Sequence, residues 1–197
     1  MKAPGPVEPG LRIGLLGGSF NPAHEGHLYA SLVALKKLKL DYVWWLVSPG
    51  NPLKSASGLA DMLTRMGSAA ALARHPRIRI TDIESRLGTH YTIDTVTALK
   101  KRFPGVTFVW LMGSDNLVQF SRWKRWRDIA ARVPIAVVRR PASALASLSS
   151  AATRRYGVAR TLKMPPAILM LDGPRNRQSS TALRRIAAVL EPRLPPC

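Results

Sequence analysis

Short apolar runs alternate along this chain with stretches in which apolar residues recur every three or four positions. The runs predict strands at 12–16, 42–47, 77–81, 106–112, 135–138 and 168–171. The second, Tyr42-Val43-Trp44-Trp45-Leu46-Val47, is apolar throughout, as in a strand buried on both faces. Helical patterns lie between the runs, at 27–38, 61–74, 92–102, 123–131 and 180–190. In the first, Leu28, Leu32, Leu35 and Lys39 recur at spacings of 4, 3 and 4. In the third, Ile93, Val96 and Leu99 follow helical spacing and Phe103 closes the face. Residues 141–165, rich in alanine and serine, read as helical around 143–155. The alternation predicts an α/β fold: a single doubly wound parallel sheet of five to six strands, with helices on both faces and right-handed crossovers. Residues 1–10, with three prolines and two glycines, read as a disordered tail, 11–190 as one domain and 191–197 as a C-terminal tail.

The first strand leads into Gly17-Gly18-Ser19-Phe20-Asn21-Pro22-Ala23-His24-Glu25-Gly26-His27. The glycines allow a sharp turn and close approach of a bulky ligand, and Pro22 stiffens the loop. A helix starting near His27 would turn its free N–H groups and positive dipole end toward the loop, where an α/β sheet binds phosphate. Neither Gly-x-Gly-x-x-Gly nor the Walker pattern is present. In their place stand two imidazoles, His24 and His27, three residues apart and able to face one way. Imidazoles there suit a phosphate chain, donating hydrogen bonds where charge develops.

Four later stretches also sit where ligands bind, near strand ends or helix starts. Ser48-Pro49-Gly50-Asn51-Pro52-Leu53-Lys54 is a loop whose lysine can neutralise a phosphate as a point charge, although taken alone it reads as a surface lysine. In Gly88-Thr89-His90-Tyr91-Thr92, Thr89 or Thr92 is placed to cap the next helix, whose free N–H groups suit a carboxylate. In Gly113-Ser114-Asp115, the carboxylate is placed to accept from a sugar hydroxyl or help position a cation. Trp123 and Trp126, three apart, share a helix face; Trp126 reads as core, and Trp123 suits stacking on a flat cationic ring. Ser179 or Ser180 caps the last helix, with Arg184 one turn further in; such hydroxyls and free N–H groups suit a phosphate, although by itself the stretch reads as a well-capped amphipathic helix.

Composition narrows the setting. The chain has 197 residues, enough for one sizeable core, and its single cysteine, Cys197, closes no internal disulfide. No apolar run approaches the ~18 residues a bilayer span needs, and no signal peptide is read at the start, so a cytoplasmic enzyme is expected. The net charge of +19 comes from 30 Lys and Arg against 11 Asp and Glu, which favours acidic partners. These basic residues are spread in short clusters from Arg12 to Arg193, and read as solvated helix faces rather than a nucleic-acid-binding stripe.

Taken together, the motifs resemble one family. His24-Glu25-Gly26-His27 resembles the (T/H)xGH signature of nucleotidyltransferases, and Gly113-x-Asp115-x-Leu117-x-x-Phe120-x-x-Trp123-x-x-Trp126 resembles the bacterial nicotinate mononucleotide adenylyltransferases. So do His90-Tyr91-Thr92-Ile93-Asp94-Thr95, Arg139-Arg140-Pro141 and Gln178-Ser179-Ser180-Thr181-Ala182-Leu183-Arg184. Departures are Leu53 for a histidine, His90 for a serine and Gln178 for an isoleucine. Arg65, followed by Met66, matches an Arg of the family whose role is left open. The resemblance implies a Rossmann-like fold and adenylyl transfer from ATP to nicotinate mononucleotide, giving deamido-NAD and pyrophosphate in NAD biosynthesis. It implies His24 and His27 as catalytic; Gly17, Gly18, Ser19, Phe20, Lys54, Ser179, Ser180, Thr181 and Arg184 for ATP and its phosphates. Thr89, Tyr91, Thr92, Asp115, Trp123 and Arg140 would hold the mononucleotide, with Mg²⁺ bound mainly through substrate phosphates and no protein metal site. Two alternatives stay open: transfer to another acceptor (nicotinamide or flavin mononucleotide), or a basic nucleic-acid-binding protein on the same scaffold. Oligomeric state is left open.

Overall fold

The computed structural model describes residues 2–50, 58–162 and 164–172. Six strands form one sheet: β1 (Arg12–Gly18), β2 (Tyr42–Val47), β3 (Ile78–Thr81), β4 (Thr107–Gly113), β5 (Ile135–Val138) and β6 (Ile168–Leu171). All neighbours are parallel, in the order β3-β2-β1-β4-β5-β6. The chain therefore winds outward from β1 to β3, returns to the centre at β4, and winds the other way to β6. β1 and β4 lie side by side at this reversal, with Leu16 opposite Leu111. The crevice beyond their carboxyl ends is where such sheets bind ligands.

Alternation along the strands divides the core between the two faces. In β2, Trp44 and Leu46 join a cluster with Ile13, Leu15, Ile93, Val96 and Leu99. Val43, Trp45 and Val47 point the other way, into a cluster with Ala34, Leu35 and Leu111. Both faces are apolar, so the strand reads as an unbroken run. The first face carries α3 (Ile83–Leu87), α4 (Thr92–Arg102) and α6 (Trp126–Arg132); the second carries α1 (Glu25–Lys37) and α2 (Met62–Leu72). Close packing around β1 excludes side chains there: a Cβ on Gly14 would stand 2.7 Å from Leu111 Cδ1 and 2.8 Å from Leu40 Cδ1.

The structure departs from the sequence expectations in several places. The first helix begins at Glu25, two residues early, because His24 itself is its N-cap. The helix expected at 123–131 starts only at Trp126; Arg125 precedes it with φ 51, a left-handed backbone that no helix continues through. Trp123 ends a 3₁₀ turn (Phe120–Arg122), so the two tryptophans do not share a helix face. Each packs instead against Phe120, at centroid distances of 5.4 Å and 5.8 Å. α5 (Ser114–Gln119) and α3 were not expected; at six and five residues they are too short to show a period. The region around 143–155 is two short helices, α7 (Ala144–Leu148) and α8 (Ala151–Tyr156), with Ser150 capping the second. Residues 2–10, expected as a disordered tail, run against the domain: Val7 packs on the core, and the Gly10 N–H donates to Gly105 O at 2.8 Å. Proline and glycine there prevent regular structure without preventing contact. No helix among the described residues is long and apolar enough to cross a membrane.

Candidate active site

A cavity of about 470 Å³ opens at the carboxyl ends of β1 and β4. That is within the range of small-molecule sites. Gly17, Gly18, Ser19, His24 and His27 line it from the first loop. Tyr91 and Thr92 line it from the start of α4, and Asp115, Trp123 and Arg140 from the β4 and β5 side. The reversal of winding order thus gathers residues that run from Gly17 to Arg140 in the sequence. Gly17 has a packing reason as well: a Cβ would stand 2.9 Å from the edge of the Trp110 ring.

The two histidines are held by reciprocal bonds. The Gly26 N–H donates to His24 Nδ1 at 3.1 Å, and the His24 N–H donates to His27 Nδ1 at 3.2 Å. A backbone N–H can only donate, so each Nδ1 is the unprotonated nitrogen and each neutral ring carries its proton on Nε2. The rings lie 3.9 Å apart, and Phe20 packs at 4.6 Å on His27 and stacks at 5.0 Å on Trp45. Burial lowers the His24 pKa to about 4, helped by the Arg140 charge and opposed by Asp115. Burial lowers His27 to about 3, helped by the His24 and Arg140 charges. Both imidazoles are therefore neutral at pH 7. Two of the N–H groups expected to be open at this helix start are in use within the turn. The Gly26 N–H is used by His24 Nδ1 and the His27 N–H by His24 O, which leaves an Nε2–H on each imidazole as a side-chain donor at this helix start.

Two further expectations change. Phe20 is fully buried and does not line the cavity; it serves as the platform under His27 rather than touching a phosphate. Thr89 is turned inward, its hydroxyl 2.9 Å from that of Thr95, and neither it nor Thr92 caps α4; Tyr91 occupies the cap position without a side-chain bond. The amides at the start of α4 are consequently not covered by a capping side chain. Asp115 pairs with Arg140 (Oδ2–Nη1, 3.3 Å), and the Arg140 N–H donates to Ser114 Oγ at 2.8 Å. Trp123 stands edge-on to Trp110 at 6.1 Å, which fixes its ring at the cavity wall. Lys54, Ser179, Ser180, Thr181 and Arg184 lie outside the described residues.

Sequence reasoning left Arg65 open and missed Glu84. Arg65 is buried, and its guanidinium donates at 2.8 Å to the carbonyls of Ala60, Ser19 and Ser48. It ties the loop after β1 to the loop after β2. Glu84 lines the cavity yet is 6% exposed, and burial raises its pKa to about 7. Nothing in Asp82-Ile83-Glu84-Ser85-Arg86 sets it apart from a solvated helix face. Among the described residues no three His, Cys, Asp or Glu side chains gather as a metal cage.

Residues 15–186 match the cytidylyltransferase-like family. A protein of Parvibaculum lavamentivorans named probable nicotinate-nucleotide adenylyltransferase is 55% identical over 187 residues, covering 90% of this chain and 93% of its own. One of the same name from Cereibacter sphaeroides is 52% identical, covering 87% and 96%. Among solved structures, the Plasmodium falciparum nicotinic acid mononucleotide adenylyltransferase complexed with NaAD superposes with a TM-score of 0.66 at 18% identity, covering 89% of this chain and 83% of that one. That likeness bears on the fold alone, a Rossmann-like α/β sheet. With the family matched over nearly the whole domain and relatives above half identity, the chain belongs to the cytidylyltransferase-like nucleotidyltransferases, in the group of the nicotinate-nucleotide adenylyltransferases.

Proposed function

We propose that the chain is a cytoplasmic enzyme of NAD biosynthesis that transfers the adenylyl group of ATP to nicotinate mononucleotide, releasing deamido-NAD and pyrophosphate. The observation that carries this reading is the pair of neutral imidazoles, tautomer-fixed by backbone N–H groups, at the switch point of a parallel sheet. A phosphate oxygen of the mononucleotide attacks the α-phosphorus in line, the new P–O bond forms, and the bond to the β-phosphate oxygen breaks as pyrophosphate leaves. The attacking group is already a nucleophile, so the protein's work is positioning and charge stabilisation. His24 and His27 donate from Nε2 to phosphate oxygens as charge moves toward the leaving group. Neutral donors suit this task because they need no proton exchange during the step. Arg140 adds a fixed positive charge beside them. Lys54, Ser179, Ser180, Thr181 and Arg184 would serve the β- and γ-phosphates, as the resemblance implies.

The pyridine end would lie between Trp123 and the start of α4. A carboxylate there meets main-chain donors near Tyr91 and Thr92 and the positive end of an 11-residue helix. Mg²⁺ would be carried mainly by the substrate phosphates, with Asp115 on the cavity wall able to help position it; when bound, it would supply charge neutralisation to the leaving pyrophosphate. The test is pyrophosphate release from ATP with nicotinate, nicotinamide and flavin mononucleotides in parallel. Release with nicotinate mononucleotide above the others supports the reading. Release only with another acceptor, or none with any, overturns it.

A further inference from the structure

Glu84 sits on α3 with its Oε1 accepting from Thr95 Oγ1 of α4 at 2.9 Å. The Thr95 hydroxyl lies 2.9 Å from that of Thr89, and the Thr89 N–H donates to Glu84 O at 2.9 Å. Thr95 is fully buried and Thr89 is 9% exposed. With the Thr95 hydroxyl donating to Glu84, the Thr89 hydroxyl is the donor in its contact with Thr95. A chain of three side chains thus runs from the turn before α4 to one carboxyl oxygen. With Oε1 accepting from Thr95 in this arrangement, Oε2 is left to carry a proton when Glu84 is neutral. Glu84 lines the same cavity as Tyr91 and Thr92, where the pyridine substituent would lie.

We propose that Glu84 is a specificity-determining residue, whose neutral carboxyl admits an acidic pyridine substituent and whose ionised carboxylate turns the subsite toward the amide. The inference rests on the function proposed above and extends it. A neutral Glu84 offers Oε2–H to a substrate carboxylate. An ionised Glu84 places a negative charge against that carboxylate, while accepting from the NH₂ of a carboxamide. Substrate choice is then linked to pH.

The group titrates where this matters. Burial raises its pKa from 4.5 to about 7, and the Thr95 bond pulls it back down. Charged neighbours do not add to this balance. On α3, Arg86 is engaged with Asp82 at 2.8 Å; on α4, Asp94 pairs with Lys124 at 3.5 Å, and Lys100, Lys101 and Arg102 stand at the far end. β2, packed beneath, is YVWWLV with Tyr42 at its opposite end. From the cavity wall, His90, Tyr91, Arg122 and Lys124 face the same space.

The experiment measures kcat/KM for nicotinate and nicotinamide mononucleotides from pH 5.5 to 9. The ratio of the two cancels the titration of the substrate phosphate and of His24 and His27, which both substrates share. In the wild type the acid-to-amide ratio should fall at least about tenfold as pH rises through 7. In Glu84→Gln, which keeps an acceptor for Thr95 and presents N–H to the cavity, the ratio should stay flat near the wild-type acid-side value. In Thr95→Val, which removes the bond that lowers the Glu84 pKa, the fall should move to higher pH. A wild-type ratio independent of pH, or the same fall in Glu84→Gln, overturns the inference while leaving the adenylyltransferase reading intact. Turnover of neither mononucleotide sinks that reading instead.

Discussion

Replacing Arg65 with methionine tests how the active-site loop is held. The wild-type guanidinium is 3% exposed and donates at 2.8 Å to three carbonyls, those of Ala60, Ser19 and Ser48. Hydrogen bonds from a charged donor contribute about 1.5–3 kcal/mol each, a gross loss of roughly 4.5–9 kcal/mol for the three. Methionine also spares the protein the desolvation of a cation, which costs several kcal/mol and offsets about half of that. A direct bond from the Ser48 N–H to Gly18 O at 2.9 Å survives and limits the damage. The net expectation is a destabilisation of about 2–4 kcal/mol, which for a chain of this size lowers Tm by roughly 4–16 °C. Ser19 lines the cavity, so catalysis should suffer beyond stability. A loop displaced by an ångström costs up to about 10²-fold, and kcat/KM for ATP should fall at least about tenfold at a temperature where the variant is folded. Circular dichroism melts and steady-state kinetics give the two numbers. Arg65→Lys, with the charge but not the fork, should fall between. A methionine variant with Tm within 2 °C of wild type and unchanged kinetics would show that the guanidinium does not organise the loop.

His27→Ala should lower turnover by about 10² or more with the fold retained, by removing one preorganised donor; wild-type turnover in that variant would remove the imidazole from the chemistry. His24→Ala should lose turnover too, and also about 1 kcal/mol of stability, since His24 caps α1. The acid side of the stability profile follows from the histidines. Their folded pKa values, about 4 and about 3, lie below the unfolded 6.5, so the unfolded chain binds more protons and stability falls as pH drops from 6.5 toward 4; Tm against pH for His27→Gln should show a shallower fall. Glu84 acts in the opposite direction. Its folded pKa is raised to about 7 from 4.5, so its contribution is lost as pH rises between those values, and Glu84→Gln should gain more Tm relative to wild type at pH 8 than at pH 5. Trp123→Phe should weaken both mononucleotides while leaving the acid-over-amide preference, expected near 10² at pH 6, unchanged; a collapsed preference would mean that the ring, rather than the α4 start and Glu84, reads the substituent.

Strands 42–47, 135–138 and 168–171 could be read to the residue, and the fold class with them. Burial on both faces writes itself as an uninterrupted apolar run, and amphipathic helices of three turns write their period. The loop carrying His24 and His27 was legible for a similar reason: its glycines, proline and paired imidazoles are local in sequence. What stayed hidden depends on contacts between distant segments. Trp123 and Trp126 have helical spacing, but the helix is broken between them at Arg125, where packing around Phe120 decides the backbone. Phe20 looked like a loop residue facing a ligand and is instead folded under His27 by stacking on Trp45, twenty-five positions away. Arg65 is charged in a sequence where arginine is common, and only the convergence of three loop carbonyls makes it a clamp. Glu84 is the same case with the opposite charge. Its sequence neighbours mark it as one more helix-surface carboxylate, and it becomes a buried group with a raised pKa only because other segments close over it. Periodicity is a property of neighbours along the chain, whereas desolvation is set by what packs from elsewhere, and the pKa values that tune this cavity follow from the second.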